Sequence, residues 1–460
     1  MWLFDMDAKI GTVLAKRLKT SHQPRHTHSG TTMKKLPLLA ASAVCSATAF
    51  GAGFSLFQGD TTGIADSAGS IAKGGRAGDM YYNPASLGAV TGTVVQAGTF
   101  ITSPKLKVEG ADPYTGVYTA TEAKEKWFNI PHLYLAHQLT DDLTLGLGLF
   151  SRMGLGDEFP RHWPGRYNST KVSFATYDFS PMLAWRVNDW ITIGGGVTFQ
   201  YFDIILEQEL DAAGIAGLRP YNATSPSPYD VHQRIHGTDD FAVGWDLGVQ
   251  IRPVDRLHLG LAYHSQIDIT AKGHARYDAP AAIRATYPMF FRDTKAKGKI
   301  EEPDYWMGAI AYDFTDRLTL GVNVTRSGWS SWDKLQIDLA SPILPGHDAL
   351  VSKKDWNDVW RYSVGGSYKL NDQWTLLGSF TYDDSPLNRK HTDYIVPADT
   401  REIYAIGCSY ETGPWAIDAM YFYENINDCS FAGRPAEGIM KGKYSDGCSH
   451  AVAMSVSYQF

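Results

Sequence analysis

Short polar turns, each joining two stretches in which apolar and polar residues alternate, recur along the chain. Six copies lie at residues 141–146, 188–194, 254–260, 315–321, 371–376 and, in a looser form, 412–417. Alternation with a period of two predicts β-strands, and Asn- or Asp-containing turns between such stretches predict hairpins. Longer polar segments separate successive hairpins. Short turns at one end and long loops at the other are typical of a transmembrane β-barrel.

The six turns serve as anchors for counting the strands. We predict strands near residues 91–107, 126–139, 142–151, 171–187, 190–207, 238–252, 256–272, 299–313, 317–339, 354–370, 373–385, 399–411, 414–426 and 446–460. Closure of the sheet is required in lipid, because an unpaired backbone group there costs several kcal/mol. The sequence therefore predicts an all-β fold, a transmembrane antiparallel β-barrel of about 14 strands.

The overall composition resembles that of a soluble protein. The net charge is −7 and the mean hydropathy is slightly negative. Past the N-terminal region no run reaches the ~18–20 apolar residues of a membrane helix. A barrel accounts for this, because only alternate residues face lipid, and the 25 tyrosines and 13 tryptophans suit interfacial girdles. A large secreted β-protein is the alternative from composition alone. No basic cluster indicates a nucleic-acid partner.

The N-terminal region has the pattern of an export signal. Lys34 and Lys35 precede an apolar stretch at residues 36–49, and small residues follow. We interpret residues 33–51 as a signal peptide and residues 1–32 as a leader or an over-extended start. His22, His26 and His28 lie in that leader, and no metal site is predicted from them.

The last strand alternates and ends on an aromatic residue, Phe460. This ending resembles the assembly signal of bacterial outer-membrane proteins. Together with the export signal and the hairpins, it predicts that the protein lies in the outer membrane of a Gram-negative bacterium.

Three cysteines follow the predicted signal peptide. Cys429 and Cys448 flank the last long loop, which would face an oxidising compartment, so we predict a disulfide across it. Two free thiols are the alternative. Cys408 lies within a strand pattern and is interpreted as a small packing residue.

Residues 52–90 fit no strand pattern and are rich in Gly, Ala, Ser and Asp. A barrel of fourteen strands needs either a water channel or a plug, and small side chains would let this segment pack inside the lumen as a hatch. Asn83 and Pro84 predict a rigid corner in it, because proline fixes its own φ and restricts its neighbour. A disordered periplasmic tail is the alternative. Residues 91–460 then form the barrel.

These features resemble the FadL-type long-chain fatty acid transporters and their relatives that admit aromatic hydrocarbons. The resemblance covers nearly all of the mature chain and is carried by residues 52–54, 83–85, 155–159, 244–248, 303–306, 329–332, 382–386 and 395–399. It implies a fourteen-stranded monomeric barrel closed by an N-terminal hatch that includes Phe54, Asn83, Pro84 and Ala85. It also implies capture of a hydrophobic ligand between two outer loops, passage to an internal pocket, hatch movement and sideways release through the wall.

The two capture loops would be residues 208–238 and 273–297. The second carries an apolar cluster: Ile283, Tyr287, Met289, Phe290 and Phe291. Exposed apolar patches usually mark a binding surface, so we predict a ligand groove here. The alternative is that these side chains pack among themselves.

Glycines in the third strand fit the expected opening in the wall. Gly146, Gly148 and Gly154 lie in or just beyond that strand, and glycine within a strand favours bends and bulges.

The ligand class is left open by the sequence. A fatty acid would need a cation near its carboxylate, and Arg326, Lys334, Arg361 and Arg401 are candidates. The resemblance implies a basic residue on the fifth strand, but Asp203 occupies that neighbourhood. An alkyl tail buried at ~0.8 kcal/mol per CH₂ contributes roughly 10 kcal/mol, against about 1.5–3 kcal/mol for one charge-assisted hydrogen bond. A neutral aromatic or aliphatic hydrocarbon is therefore the alternative ligand.

Other functional classes fit less of the chain. A Gly-x-Ser-x-Gly elbow is absent, and the strand histidines lack the spacing of a zinc pair. We predict no catalytic residue, no metal and no cofactor. The expected partners are hydrophobic small molecules, outer-membrane lipid and lipopolysaccharide. A general porin or receptor would leave the hatch motif and the apolar loop unexplained.

Overall fold

A computed structural model describes residues 53–112, 115–215, 217, 220, 227–343, 347–397 and 399–460. The predicted leader and signal peptide, residues 1–51, lie outside the described residues.

The described chain is a closed antiparallel barrel of fourteen wall strands. The strand segments are β1 Thr93–Ala111, β2 Tyr118–Glu122, β3 Phe128–Gln138, β4 Leu143–Phe150, β5 Gly154–Glu158, β6 Lys171–Asn188, β7 Ile191–Asp211, β8 Asp230–Val254, β9 Leu257–His264, β10 Ile267–Asp278, β11 Thr294–Glu302, β12 Tyr305–Asp313, β13 Leu318–Ser327, β14 Lys334–Leu339, β15 Ala349–Lys353, β16 Val359–Lys369, β17 Trp374–Asp383, β18 Arg401–Thr412, β19 Trp415–Ile426, β20 Cys429–Phe431 and β21 Lys441–Gln459. Several wall strands are broken into two segments, while β2 and β20 are short strands of the loop end.

Pairing of the first and last strands closes the wall. β1 pairs with β21 from Val94↔Gln459 onwards and with β3 on its other side. The six predicted turns each connect two antiparallel neighbours, as between β3 and β4, β6 and β7, or β18 and β19. The predicted barrel is confirmed.

The predicted outer loops are shorter than expected. β7 continues to Asp211 and β8 begins at Asp230, so most of residues 208–238 is strand. Likewise β10 and β11 leave residues 279–293 as loop. The alternation of buried and exposed residues continues in these ends, which pair as ribbons beyond the hydrophobic belt.

Alternate residues of each strand face opposite environments. In β8, for example, Phe241, Val243, Trp245 and Leu247 are exposed on the outer face, while Asp246 is fully buried on the inner face. Outward apolar and inward polar residues are the pattern of a wall between lipid and lumen. Among the described residues, no helix is long and apolar enough to cross a membrane.

The hatch fills the lumen. Residues 53–90 form short helices at Gly63–Asp66 and Ala68–Ala72 and 3₁₀ turns at Ala77–Tyr81 and Pro84–Ala89. Nearly all of its side chains are buried.

Polar contacts tie the hatch to strands around the barrel. Lys73 lies 2.8 Å from Asp313, and Asn323 donates to Ser67 at 2.7 Å. Ser379 donates to the carbonyl of Ile64 at 2.6 Å. Polar side chains therefore anchor the hatch to several strands of the wall.

The predicted disulfide is absent from the structure. Cys429 and Cys448 are free thiols. Cys429 is paired with Tyr444 of β21, four residues before Cys448. At ~3.3 Å per strand residue this separates the two by roughly 13 Å, well beyond the ~7 Å between Cα atoms that a disulfide can bridge.

Candidate functional site

The third wall strand is broken. β4 ends at Phe150 and β5 begins at Gly154, and both pair with β6. β4 pairs with β3 only as far as Leu133↔Leu149. The segment of β3 at residues 128–132 is paired with β1 but has no strand partner on its other side among the described residues. The wall thus has a gap between β3 and β5.

The start of the hatch occupies this gap. The backbone amide of Leu56 donates to the carbonyl of Arg152 at 2.7 Å, and the amide of Gly154 donates to the carbonyl of Phe54 at 3.0 Å. Ser55 and Met153 form an antiparallel bridge. Leu56 also shares a buried cluster with Ile130 of β3. The segment therefore satisfies backbone groups that the break would otherwise leave unpaired inside the barrel.

An aromatic cage holds Phe54. Its ring lies 4.8 Å from Trp329, 4.9 Å from Trp332 and 6.1 Å from Trp356, with Phe174 at 5.2 Å. Most of these contacts are edge-to-face, the favoured geometry of aromatic pairs.

The residue before Phe54 allows this close approach. Gly53 has φ +67°, and a Cβ there would lie 2.5 Å from Trp356 and 2.6 Å from Trp329. A side chain at this position would displace the cage.

Arg152 links the break to the lumen. Its amide donates to Asp178 at 2.8 Å, and its buried guanidinium donates to Asp246 at 2.8 Å. His264 lies 2.6 Å from the same Asp246 carboxylate. Since one unpaired buried charge costs several kcal/mol, this network fixes the position of the break.

The predicted hatch corner adopts the expected conformation. Asn83 caps the 3₁₀ turn by accepting from the amide of Ala85 at 3.0 Å, with Pro84 at its first position. Its amide nitrogen donates to Ile71 of the hatch at 2.8 Å and to Val249 of the wall at 3.2 Å.

A wall glycine makes room for this corner. A Cβ at Gly248 would lie 1.9 Å from Asn83 Oδ1. The corner and the wall are therefore in direct contact.

Two small cavities lie between the hatch and the wall. The larger, of about 20 Å³, is lined on the hatch side by Phe57, Ile64 and Ile71 and on the wall side by residues that include Met307 and Arg361. The smaller, of about 10 Å³, lies beside Arg152 and His264. Such volumes suit about one water molecule, so neither holds an alkyl chain while the hatch is seated.

The head-group candidates face different sides of the wall. Arg361 is buried on the lumen side, with its guanidinium 4.6 Å from the Phe57 ring and 2.9 Å from Asp383. Arg401 is buried beside it and donates to the same carboxylate at 2.7 Å. Of these two head-group candidates on the lumen side, Arg361 borders the larger cavity.

Arg326 and Lys334 face outwards, contrary to their assignment as head-group candidates. Arg326 pairs with Asp304 and Asp358 on the outer face. Lys334 is exposed, while the next residue, Leu335, is buried. Because side chains alternate along a strand, neither can contact a ligand in the lumen.

The apolar loop cluster is divided between core and surface. Ile283 and Phe291 are buried, and Tyr287 and Phe290 pack partly against the same core. Met289 is 70% exposed. Most of the predicted groove residues are therefore packed in this state, and one remains at the surface.

The strand glycines surround the break. A Cβ at Gly146 would meet Leu87 of the hatch at 2.5 Å, and one at Gly148 would meet Phe150 at 2.7 Å. Gly154 is the first residue beyond the break. The predicted lateral-opening strand thus adjoins the hatch.

Lys354 is a further buried cation that the sequence does not reveal. It pairs with Asp393 and lies 5.5 Å from the Trp332 ring of the cage. Burial lowers the pKa of Lys354, although Asp393 opposes this effect. Its only sequence signal is a Lys-Lys pair before Asp355 in a polar loop.

Known proteins are similar to this chain. A family model described as outer membrane protein transport protein (OMPP1/FadL/TodX) matches residues 42–460. A putative outer membrane protein of Neisseria meningitidis is 25% identical over 439 residues, covering 88% of this chain and 93% of that protein. A long-chain fatty acid transport protein of Salmonella typhi is 23% identical, covering 83% and 88%.

Solved structures support the fold. A Pseudomonas aeruginosa FadL homologue superposes with a TM-score of 0.77 at 22% identity, covering 89% of this chain and all of that one. The toluene transporter TbuX of Ralstonia pickettii gives 0.64 at 16% identity, covering 88% and 100%. With the family match over residues 42–460, the chain belongs to the OMPP1/FadL/TodX family of outer membrane transport proteins.

Proposed function

We propose that this protein is a passive outer-membrane transporter of long-chain fatty acids, which enter from the loop end and leave sideways through the break in the wall. The observation that carries the proposal is the seating of residues 54–56 in that break by backbone hydrogen bonds. A segment held this way can leave without unfolding the wall, because β4, β5 and β6 keep their own pairing.

The larger cavity is the starting point of the internal pocket. One side is hatch and the other is wall, so movement of the hatch enlarges it without strain in the barrel. The hatch contributes Phe57, Ile64 and Ile71, which suit an alkyl tail. Burial of the tail supplies most of the binding free energy, at ~0.8 kcal/mol per CH₂.

Arg361 is the head-group residue in this proposal. It borders the cavity, and Asp383 retains a second cation in Arg401 when Arg361 turns towards a ligand. A carboxylate that replaces Asp383 as its partner would gain a charge-assisted bond of about 1.5–3 kcal/mol.

Release of Phe54 from its cage is the opening step. The carbonyl of Phe54 accepts a hydrogen bond from the amide of Gly154. Displacement of Phe54 therefore also frees the edge of the break at Gly154. The freed gap between β3 and β5 opens at the level of outward apolar residues such as Leu133 and Leu149. A hydrophobic ligand therefore enters the membrane rather than the periplasmic water.

The packed lumen does not favour a general porin, because a water-filled channel needs an open path past the hatch. A neutral hydrocarbon channel is the second candidate. It is favoured by Asp203, which occupies the expected position of the fifth-strand base and lies 2.8 Å from His236. No catalytic role is assigned, since the buried charged groups described here are engaged in holding the hatch and the break.

Uptake by cells expressing the chain tests both candidates. We expect uptake of radiolabelled palmitate above the empty-vector level. Arg361→Gln should reduce palmitate uptake several-fold and should have little effect on toluene uptake. Arg326→Gln, on the outer face, is the matched control and should retain palmitate uptake. Uptake of toluene or hexadecane without palmitate would replace this proposal by the hydrocarbon channel. No stimulated uptake of any of the three would contradict transport.

A further inference from the structure

The ribbon formed by β10 and β11 carries a row of unpaired cations on its outer face. Five exposed side chains alternate with buried apolar ones along the two strands: Lys272, Arg276, Lys295, Lys297 and Lys299. None of the five has an acidic group within ion-pair distance among the described residues. The exposed acids of the same face, Asp268, Asp278 and Glu301, lie at the two ends of the ribbon, so the cations between them form a continuous patch.

The strand register brings like charges together. Lys272 is directly opposite Lys297, and His274 is opposite Lys295. On the other side of β10, Arg276 is opposite Arg234. Like charges directly across an antiparallel pair destabilise the pairing. Neighbouring acids offset part of this repulsion, since Asp338 of β14 is opposite Lys297 and Glu207 is ion-paired with Arg234. The repulsion between Lys272 and Lys297 remains, because the other neighbour of Lys272 is the uncharged Thr238 of β8. An anion at the outer surface would relieve it.

The position of the row relative to the membrane selects the anion. Trp245, Tyr263 and Trp306 form an aromatic band on the outer wall, with ring centroids 4.9 and 4.7 Å apart and the rings tilted against one another. Such bands mark the membrane–water interface. Lys299 lies seven residues before Trp306 in the sequence, towards the extracellular end of the same wall strand. At ~3.3 Å per residue and a tilt of ~40°, the cations begin roughly 18 Å beyond the band.

That layer of the outer leaflet contains the acidic and phosphorylated sugars of lipopolysaccharide. Basic residues next to a membrane recognise anionic head groups by charge, and their attraction is screened by salt. Arginine and lysine together provide both bidentate and point-charge contacts with phosphate.

We infer that the outer face of β10 and β11 is a binding site for the phosphate and carboxylate groups of lipopolysaccharide. The site holds the ribbon upright beside the loop of residues 279–293. It acts independently of the hatch and of the ligand that the barrel transports.

Titration of the purified full-length chain with a rough lipopolysaccharide that keeps its complete phosphorylated core tests this inference. The double variant Lys272→Glu with Lys297→Glu should bind about tenfold more weakly or worse, with a flatter dependence on salt. Arg317→Glu with Lys369→Glu changes the net charge equally at the opposite, short-turn end, where both residues are exposed. This control should bind like the original chain. Equal affinity in the two double variants would overturn the inference.

Two further measurements separate lipopolysaccharide from other anions and from misfolding. Enzymatic removal of its phosphates should weaken binding to the original chain several-fold. Lys272→Gln should raise the melting temperature in lipopolysaccharide-free detergent, since Lys272 lies between Lys297 and the uncharged Thr238 and its removal relieves repulsion. The same variant should reduce the stabilisation that added lipopolysaccharide gives. A double variant that binds lipopolysaccharide normally but loses palmitate capture would assign this face to the transported ligand and refute the inference.

Discussion

The amide of Leu56 donates to the carbonyl of Arg152 at 2.7 Å, so the hatch is joined to the wall by the same kind of bond that joins the strands to one another. Arg152 lies inside the break in the third wall strand, where no neighbouring strand segment can take that role. In the proposed mechanism this contact must break before the wall opens, so its strength would set how readily the wall opens.

Removal of the caged ring should loosen this part of the wall. We expect Phe54→Ala to weaken hatch seating by about 3–5 kcal/mol, the usual cost of emptying a buried aromatic site. The readout is cleavage of the N-terminal segment by added protease in detergent, which should be at least tenfold faster. Phe241→Ala is the control, because Phe241 is 58% exposed on the outer face. Equal cleavage rates would show that the cage does not hold the hatch.

A methyl group on the wall should displace the hatch corner. Gly248→Ala places a Cβ 1.9 Å from Asn83 Oδ1, so the corner must move. We expect increased sensitivity of expressing cells to hydrophobic antibiotics, because the hatch no longer seats fully.

A second wall glycine provides the control for this substitution. The nearest atom to a Cβ at Gly308 is 4.0 Å away, so Gly308→Ala should leave antibiotic sensitivity unchanged. If both substitutions behave alike, contact between the corner and the wall is not needed for closure.

Loss of the arginine in the break should cost more than loss of a surface arginine. Arg152→Met leaves Asp246 buried with His264 and the Thr198 hydroxyl as its remaining partners, and breaking a buried pair costs about 3–5 kcal/mol. Arg326→Met removes a partly exposed pair, worth about 0–1 kcal/mol. Thermal unfolding in detergent should therefore show a clear fall in melting temperature for the first variant only. A similar small fall in both would contradict the role of Arg152.

The two thiols of the last loop should react differently and remain unbridged. Burial raises the pKa of the Cys429 thiol to about 12, so almost no thiolate is present at pH 8. We expect iodoacetamide to leave Cys429 unmodified in the folded chain and to modify it after denaturation, as seen by mass spectrometry. Reductant should not change the melting temperature. A tryptic peptide pair linked through Cys429 and Cys448 would contradict this prediction.

The barrel could be predicted from the sequence because lipid imposes a strict period of two on every wall strand. The same rule could have excluded Arg326 and Lys334 as head-group candidates. Arg326 has the parity of Leu320 and Val322, which face lipid, so its outward direction is implied by the pattern. Arg361, in contrast, has the parity of inward residues of β16.

The site depends on contacts between distant parts of the chain, which no local pattern contains. Trp329, Trp332 and Trp356 are far from Phe54 in sequence, so their role as a cage could not be derived from spacing. The gap in the wall between β3 and β5 had one signal in the sequence. Pro131 lies in the middle of β3 and cannot donate to a neighbour, and proline inside a strand indicates an unpaired edge. Arg152 had no such signal, since its importance comes from Asp178 and Asp246.

The central claim is that residues 54–56 must leave the break for ligand to pass. The most direct test is uptake of palmitate through a locked barrel, with Ser55→Cys and Met153→Cys in a chain whose three other mature cysteines are serine. These two residues form an antiparallel bridge, a suitable geometry for a disulfide. Thr93→Cys with His137→Cys, paired in the wall near the short-turn end, is the control. We expect oxidation to abolish uptake in the first pair only and reductant to restore it. Undiminished uptake with the bridge fully formed would contradict the account.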